Sequence, residues 1–125
     1  MAKAKTSTDL SPVFAALRDI LRKYESTLAV ERDAPTYYAL IGTRVGPQGK
    51  PTWFAGVRLG KKYVSYYLMP VYGHKALLDG APEALTKRMQ GKACFNFKAV
   101  DADLFRELAR LTKAGYDCFK KVGYL

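Results

Sequence analysis

The chain has 125 residues, and its 21 lysines and arginines outnumber its 11 aspartates and glutamates, which gives a formal net charge of +10. A chain of this length buries roughly two-thirds of its unfolded surface, so it can form a core without metal ions or disulfide bonds. With 49% hydrophobic and 26% charged residues, the composition excludes an intrinsically disordered chain and indicates one globular domain.

The first predicted element is a helix that follows a small, polar and basic segment. We expect residues 1–8 to be a flexible basic tail and residues 9–125 to form the single domain. Ser11 and Pro12 are typical of the cap and the first position of a helix. We expect this helix to end before Pro35, because a residue that precedes proline is steered away from helical backbone angles.

After Pro35 the apolar pattern changes to the period of two that is typical of strands. It predicts three strands in succession, over residues 37–41, 52–59 and 63–69, joined by a loop at 46–51 and a turn at 60–62. Short connections between consecutive strands favour an antiparallel meander. Pro70 ends the third strand, because proline cannot donate a ladder hydrogen bond.

The segment after the meander has a helical pattern in two pieces, 75–78 and 82–90, and Gly91 is placed to close the second. A fourth strand is predicted over 93–98, and Asp101 is expected to cap a final helix. The order α-β-β-β-α-β-α predicts a two-layer α+β fold, with helices packed on one face of a single antiparallel sheet.

Alternation assigns the side chains of the meander to two faces. The apolar set, which we expect against the helices, comprises Ile41, Trp53, Ala55, Val57, Val64, Tyr66 and Leu68. The opposite set is aromatic and basic and comprises Tyr38, Phe54, Arg58, Tyr63, Ser65 and Tyr67. A shift of one residue in register would exchange the two sets. An exposed face of the second kind usually marks an interaction surface.

The charge of the chain is concentrated around this meander. Residues 34–78 contain no aspartate or glutamate, yet they hold eight of the sixteen aromatic residues. We therefore predict a ligand-binding surface in which rings supply stacking contact and cations orient an anionic group. Its predicted residues are Tyr38, Phe54, Arg58, Tyr63 and Tyr67, with Lys61, Lys62 and His74 at the rim.

Several partners fit a surface of this composition. A small anionic or aromatic molecule and a partner protein are equally compatible with it, and so is self-association as a homodimer. Single-stranded nucleic acid also fits, since bases stack on aromatic rings and phosphates pair with cations, although the chain has no RRM, KH or OB signature.

The sequence offers no recognisable catalytic constellation. It contains no G-x-S-x-G, H-E-x-x-H or C-x-x-C motif. The single histidine, His74, has no acidic partner near it in the sequence, and Cys94 lies in a strand-like run where cysteines usually pack. We therefore expect a protein that is not an enzyme and that uses no catalytic residue, metal or cofactor.

The remaining features bear on location. Two cysteines do not make a disulfide framework, so we expect Cys94 and Cys118 to be reduced and partly buried. No apolar stretch follows the basic start as it does in a secretory signal, and no window approaches the ~18 apolar residues of a membrane-spanning helix. We expect a cytoplasmic protein that does not associate with membranes.

Three segments, residues 53–57, 66–72 and 87–98, resemble the YdhG-like family, and the last is the most specific. The resemblance covers residues 34–121. This bacterial family consists of small domains, mostly of unknown function. The resemblance implies a small α+β domain and provides no established catalytic residues.

Some YdhG-like proteins are described as frataxin-like iron chaperones, so the resemblance implies an alternative function in iron delivery. The acidic side chains available for it are those of the predicted first helix and its exit, Asp19, Glu25, Glu31 and Asp33. Iron prefers clustered carboxylates or histidines, and a protein with a charge of +10 repels a cation. We therefore favour a binding module over a metal chaperone.

Overall fold

The chain forms a five-stranded antiparallel sheet with helices packed on one face, in a computed structural model that describes residues 10–46 and 49–125. The predicted tail at residues 1–8 lies outside the described residues. The elements in chain order are α1 (Ser11–Arg22), a 3-10 helix (Lys23–Ser26), β1 (Ala29–Ala34), β2 (Tyr37–Val45), β3 (Pro51–Leu59), β4 (Val64–Leu68), α2 (Met69–Gly73), a second 3-10 helix (Lys75–Gly80), α3 (Glu83–Thr86), β5 (Cys94–Phe97) and α4 (Ala102–Lys121). The predicted α+β class is confirmed.

The strands lie in the sheet in the order β1-β2-β3-β4-β5, and each pairs antiparallel with its neighbours. The predicted meander is therefore present, with β5 added after the helical segment. Asp101 caps α4 as predicted, because its carboxylate accepts a hydrogen bond from the backbone N–H of Leu104 at 3.1 Å. Among the described residues, no helix combines the length and apolar character needed to cross a membrane.

The first helix ends before Pro35, as predicted, but a strand separates the helix from this proline. The helix ends at Arg22, continues as one 3-10 turn to Ser26, and is followed by β1, a strand that the sequence pattern did not predict. Four of the six residues of β1 are exposed, and its pairing with β2 is interrupted by a bulge between Val30 and Arg32. Charged side chains and a bulge are typical of an edge strand and hide its alternation.

The second helical piece, predicted over 82–90, is shorter than expected. The helix α3 ends at Thr86, and Met89 instead forms a β-bridge with Phe95. Gly91 has a φ of +84° and lies in the turn where the N–H of Gln90 donates to the carbonyl of Cys94 at 2.9 Å. Gly91 therefore supplies the left-handed residue of a turn and does not close a helix.

The core lies between the sheet and the helices α1 and α4. Each of these helices buries one apolar stripe, for example Leu17 in α1 and Leu108 in α4, both fully buried. Gly115 of α4 lets this helix approach α2 closely, because a Cβ there would lie 3.0 Å from the side chain of Pro70. Five of the seven residues predicted for this covered face are buried in it: Ala55, Val57, Val64, Tyr66 and Leu68.

The faces of β2 and of the start of β3 differ from the prediction. Tyr38 pairs with Val57 and is fully buried on the covered face. Phe54 is the extra residue of a bulge, since Leu40 pairs with Ala55 while Ile41 pairs with Trp53. Its ring is also fully buried.

The predictions that Tyr38 and Phe54 lie on the exposed face, and that Ile41 and Trp53 lie against the helices, are therefore wrong. The physical reasons are a pattern in β2 read one residue out of register and a bulge in β3 that reverses the alternation.

Candidate ligand-binding surface

One face of the sheet packs against the helices, and we call the other the open face. Four side chains form a row across it, because their positions pair in the register: Tyr37 of β2, Arg58 of β3, Ser65 of β4 and Asn96 of β5. Paired positions direct their side chains to the same side of a sheet. Arg58 therefore stands between an aromatic ring and a polar segment.

Two further rings lie against each other beside this row. The ring centroids of Trp53 and Tyr67 are 5.5 Å apart, with an angle of 42° between the planes. A Cβ at Gly56 would come within 3.0 Å of the indole carbon Cζ2 of Trp53, so the indole lies over the backbone of Gly56. We call Tyr37, Trp53 and Tyr67 the aromatic platform; all three line one shallow depression together with Arg58.

A groove of about 540 Å³ opens on the other side of Arg58, towards β5. A second depression of about 340 Å³ adjoins it and shares Lys62 and Tyr63 with it. We call the two depressions together the basic groove. Its cationic residues are Arg58, Lys61, Lys62, Lys87, Arg88 and Lys98. No aspartate or glutamate of the described chain lines it.

A chain of hydrogen bonds forms the floor of the basic groove. The hydroxyl of Ser65 donates to Oδ1 of Asn96 at 2.8 Å, and Nδ2 of Asn96 donates to Oε1 of Gln90 at 2.7 Å. The thiol of Cys94 also donates to Oδ1 of Asn96, at 3.4 Å. Because the oxygen of Gln90 accepts from Asn96, the amide N–H groups of Gln90 remain as donors at the groove.

The Cys94 thiol of this floor and the Tyr37 phenol of the aromatic platform both stay neutral near pH 7. Burial, the largest effect, raises the pKa of the Cys94 thiol, although hydrogen bonds with Ser65 and Tyr67 act in the opposite direction. Burial also raises the pKa of Tyr37. A thiol with a raised pKa lacks the thiolate character that a cysteine nucleophile needs. Cys94 and Cys118 are both half-buried free thiols, as predicted.

The structure brings together five of the eight predicted binding residues. Arg58, Lys61, Lys62, Tyr63 and Tyr67 all line the first depression of the basic groove. The other three do not join them. Tyr38 and Phe54 lie in the core, and the ring of His74 lies 6.2 Å from the ring of Phe119 in α4.

Sequence reasoning missed several residues of this surface. Tyr37 and Trp53 were not predicted to lie on it, because the register of β2 and the bulge in β3 were not foreseen. Gln90 and Asn96 were not singled out either. The period of two over 93–98 could have identified Asn96, since it places Cys94 and Asn96 on the face opposite Phe95.

Two carboxylates of the alternative iron site, Glu25 and Asp33, lie close together, but they are bridged by an arginine. Glu25 accepts hydrogen bonds from the Tyr38 hydroxyl at 2.5 Å and from Arg22 at 2.9 Å, and the same guanidinium binds Asp33 at 3.1 Å. These two bonds, the one from Tyr38 first, lower the pKa of Glu25. Glu31 lies on the open face in a different depression, near Trp53. Within 10–46 and 49–125, no three histidine, cysteine or acidic side chains are grouped as metal ligands would be.

We compared the chain with protein-family models, with curated proteins and with solved structures. No significant match was found in any of the three comparisons. The resemblance to the YdhG-like family therefore stays a prediction, and the function has to be argued from the residues of the open face.

Proposed function

We propose that the protein is a non-enzymatic binding module whose open face takes a ligand with both a planar aromatic group and an anionic group. The observation that carries this proposal is the position of Arg58, which lines both the depression of the aromatic platform and the basic groove. A ligand that joins a ring to an anion matches both sides of this residue. Rings bind rings by stacking, and a guanidinium pairs with phosphate or carboxylate through two parallel hydrogen bonds.

The charges of the groove support an anionic ligand. Five ion pairs occur among the described residues, and none of them involves a cation of the basic groove. Six cations gathered without a carboxylate repel one another, so an anion bound among them relieves that repulsion. The amide of Gln90 adds neutral donors beside them.

The side chains of the open face favour a binding role over a catalytic one. Its thiol, Cys94, has a raised pKa because it is buried, and the one histidine of the chain lies against Phe119, outside the lining of the groove. General acid–base or nucleophilic catalysis needs a group with a pKa near the working pH, within hydrogen-bond reach of the reacting atoms. Neither the Cys94 thiol nor the histidine meets both requirements, so we propose a non-enzymatic role.

The first test is a thermal-shift measurement with three classes of compound. A nucleoside monophosphate carries a ring and an anion, the matching nucleoside carries the ring alone, and inorganic phosphate carries the anion alone. We expect the monophosphate to raise the melting temperature most, with an effect that decreases as salt is added, because binding to the native state stabilises it. Equal shifts with phosphate alone would show that the aromatic platform takes no part.

Matched variants locate the binding. Arg58→Ala removes one of the charged hydrogen-bond donors, which are worth about 1.5–3 kcal/mol each, so we expect the affinity to fall by about ten-fold or more. Arg44→Ala is the control, because Arg44 is an exposed arginine of β2 outside the groove, and its loss changes the net charge equally. The proposal fails if Arg58→Ala and Tyr67→Ala both bind the monophosphate as the wild type does.

A further inference from the structure

We propose that the ligand of the open face is an unpaired nucleic-acid strand, whose bases stack on the aromatic platform while its phosphates follow the basic groove. This inference rests on the proposed function and names the class of ligand. Three features carry it: the length of the basic groove, the flat placement of the indole of Trp53, and the junction between the two at Arg58.

The basic groove is longer than a single phosphate group requires. Arg58, Lys61 and Lys62 line its first depression, and its cations continue past Tyr63 into the second depression with Lys87 and Arg88. One phosphate contacts two or three of these side chains and leaves the rest without an anion. A strand carries a phosphate on every nucleotide, so it supplies anions along the whole row.

The platform is built to present a ring face. The indole Nε1 of Trp53 donates to the carbonyl of Ala55 at 3.1 Å, which fixes the ring along its own strand. Gly56 beneath the indole has no side chain to lift it from the backbone. Tyr67 lies beside it, only half buried. The indole is thus held against the sheet, with the Tyr67 ring tilted beside it by 42°. Aromatic side chains on the face of an antiparallel sheet are typical stacking surfaces for bases.

The same geometry selects against a duplex. In a regular double helix the faces of the bases are stacked on one another, so they are not accessible to the platform. A duplex can pair with the cations of the groove but gains nothing from Trp53 and Tyr67. The preference for an unpaired strand therefore separates this proposal from general attraction between a protein of charge +10 and any polyanion.

The test uses the full chain and fluorescently labelled 12-nucleotide oligomers, polyuridine and polythymidine, with their duplexes and a poly-glutamate peptide as competitors. We expect both single strands to bind at least ten-fold more tightly than their duplexes, the nucleoside monophosphate or the peptide. With four to six phosphate contacts, the logarithm of the association constant should decrease with the logarithm of salt concentration with a slope of about −3 to −4.

The single tryptophan of the chain is a built-in reporter of stacking. Trp53 fluorescence should be quenched when an oligomer binds, and the quenching should titrate with the same affinity as the anisotropy. Binding that leaves Trp53 fluorescence unchanged and is insensitive to Tyr67→Ala would overturn the proposal, since it would be purely electrostatic.

A pair of double variants tests the length of the groove. Lys87→Ala with Arg88→Ala removes two cations of the second depression, and the matched control Lys120→Ala with Lys121→Ala removes two exposed cations at the end of α4. We expect the first pair to weaken oligomer binding by about ten-fold or more and to reduce the salt slope by about 1.4, and to weaken monophosphate binding by a much smaller factor. The control pair should have a much smaller effect on both.

The outcomes separate this inference from the proposed function. Suppose that the monophosphate binds as tightly as the oligomers and that the Lys87 and Arg88 variant binds both normally. The proposal of a nucleic-acid strand is then wrong, while the proposed binding of aromatic anions is retained. If the peptide or the duplex binds more tightly than a single strand, the occupant is a different macromolecule. If no aromatic anion, short or long, responds to Arg58→Ala, both proposals fail.

Discussion

Both faces of the sheet are rich in aromatic rings, but the rings differ in burial and in hydrogen bonding. Tyr66 and Tyr67 are neighbours in β4 and point to opposite faces. Tyr66 is fully buried, and its hydroxyl lies 2.6 Å from Oγ1 of Thr112. Tyr67 is half buried and lies against Trp53 at the surface. The covered face thus encloses the rings of Tyr38 and Tyr66 and pairs their hydroxyls, whereas the rings of Trp53 and Tyr67 on the open face stay partly exposed to solvent.

The difference indicates which aromatic residues the fold needs. On the covered face, the ring of Phe54 contacts those of Tyr24, Tyr116 and Phe119, which ties β3 to the first 3-10 helix and to α4. On the open face, Trp53 and Tyr67 tie together only neighbouring strands that are already paired. The first set therefore contributes to the stability of the fold, and in our proposal the second set contributes to binding.

The largest predicted effect is the difference in stability between two alanine substitutions, one on each face. Phe54→Ala should destabilise the protein by about 3–5 kcal/mol, because it removes a fully buried ring and leaves a cavity. Tyr67→Ala should cost only about 1 kcal/mol, close to the value of one partly exposed aromatic pair. Chemical denaturation followed by circular dichroism measures both.

In a binding assay, Tyr67→Ala should have a larger effect than Phe54→Ala, the reverse of their order in stability. Under conditions in which both are folded, Tyr67→Ala should weaken binding of aromatic anions and Phe54→Ala should not. A Tyr67→Ala variant as unstable as Phe54→Ala would show that the platform is part of the core, and the distinction between the two faces would disappear.

A smaller effect is expected from the removal of one hydroxyl. Thr112 donates to the carbonyl of Leu108 at 2.8 Å, so the Tyr66 hydroxyl is the donor to Thr112. Tyr66→Phe leaves the buried oxygen of Thr112 without that donor, and we expect a loss of about 1–2 kcal/mol. Tyr63→Phe, at a half-exposed tyrosine of the basic groove, should change stability by less than about 0.5 kcal/mol. Equal effects of the two variants on the denaturation midpoint would contradict the comparison.

The sequence predicted the covered face correctly in strands whose alternation of apolar and polar residues is unambiguous. In β4, alternation placed Val64, Tyr66 and Leu68 correctly, because no bulge interrupts the strand and its polar residue, Ser65, falls on the other face. In β2, Tyr37 and Tyr38 are adjacent and chemically alike, so the pattern cannot decide which is buried. Tyr38 is the buried one, and its hydroxyl donates a hydrogen bond to Glu25, a contact outside the strand that local alternation does not contain.

The candidate site was predictable to the same extent. Arg58 and Tyr67 follow from alternation, and Lys61 and Lys62 follow from the turn between β3 and β4. Trp53 does not, because the bulge that reverses it depends on how β3 pairs with β2. The second half of the basic groove depends on the fold that brings residues 87–98 beside β4, a contact that no local pattern in the sequence contains.

The smallest predicted effect is a pH dependence that belongs to the covered face. The hydrogen bonds from Tyr38 and Arg22 lower the pKa of Glu25 in the folded protein below its ordinary value of 4.5. A carboxylate with a depressed folded pKa contributes stability above its unfolded pKa and loses it as the pH falls through the folded pKa. The melting temperature should therefore decrease below about pH 4.5, and Glu25→Gln should flatten part of this decrease.

The matched control is Glu31→Gln, which removes one carboxylate from the open face, away from the bonds that hold Glu25. It should keep the acid dependence of the wild type, because its carboxylate takes no part in the contact between Tyr38 and the first 3-10 helix. If Glu31→Gln flattened the curve as much as Glu25→Gln, the acid sensitivity would come from the total charge of the chain. The hydroxyl–carboxylate pair beneath the sheet would then contribute no measurable stability, and the contrast between paired and presented tyrosines would rest on Tyr66 alone.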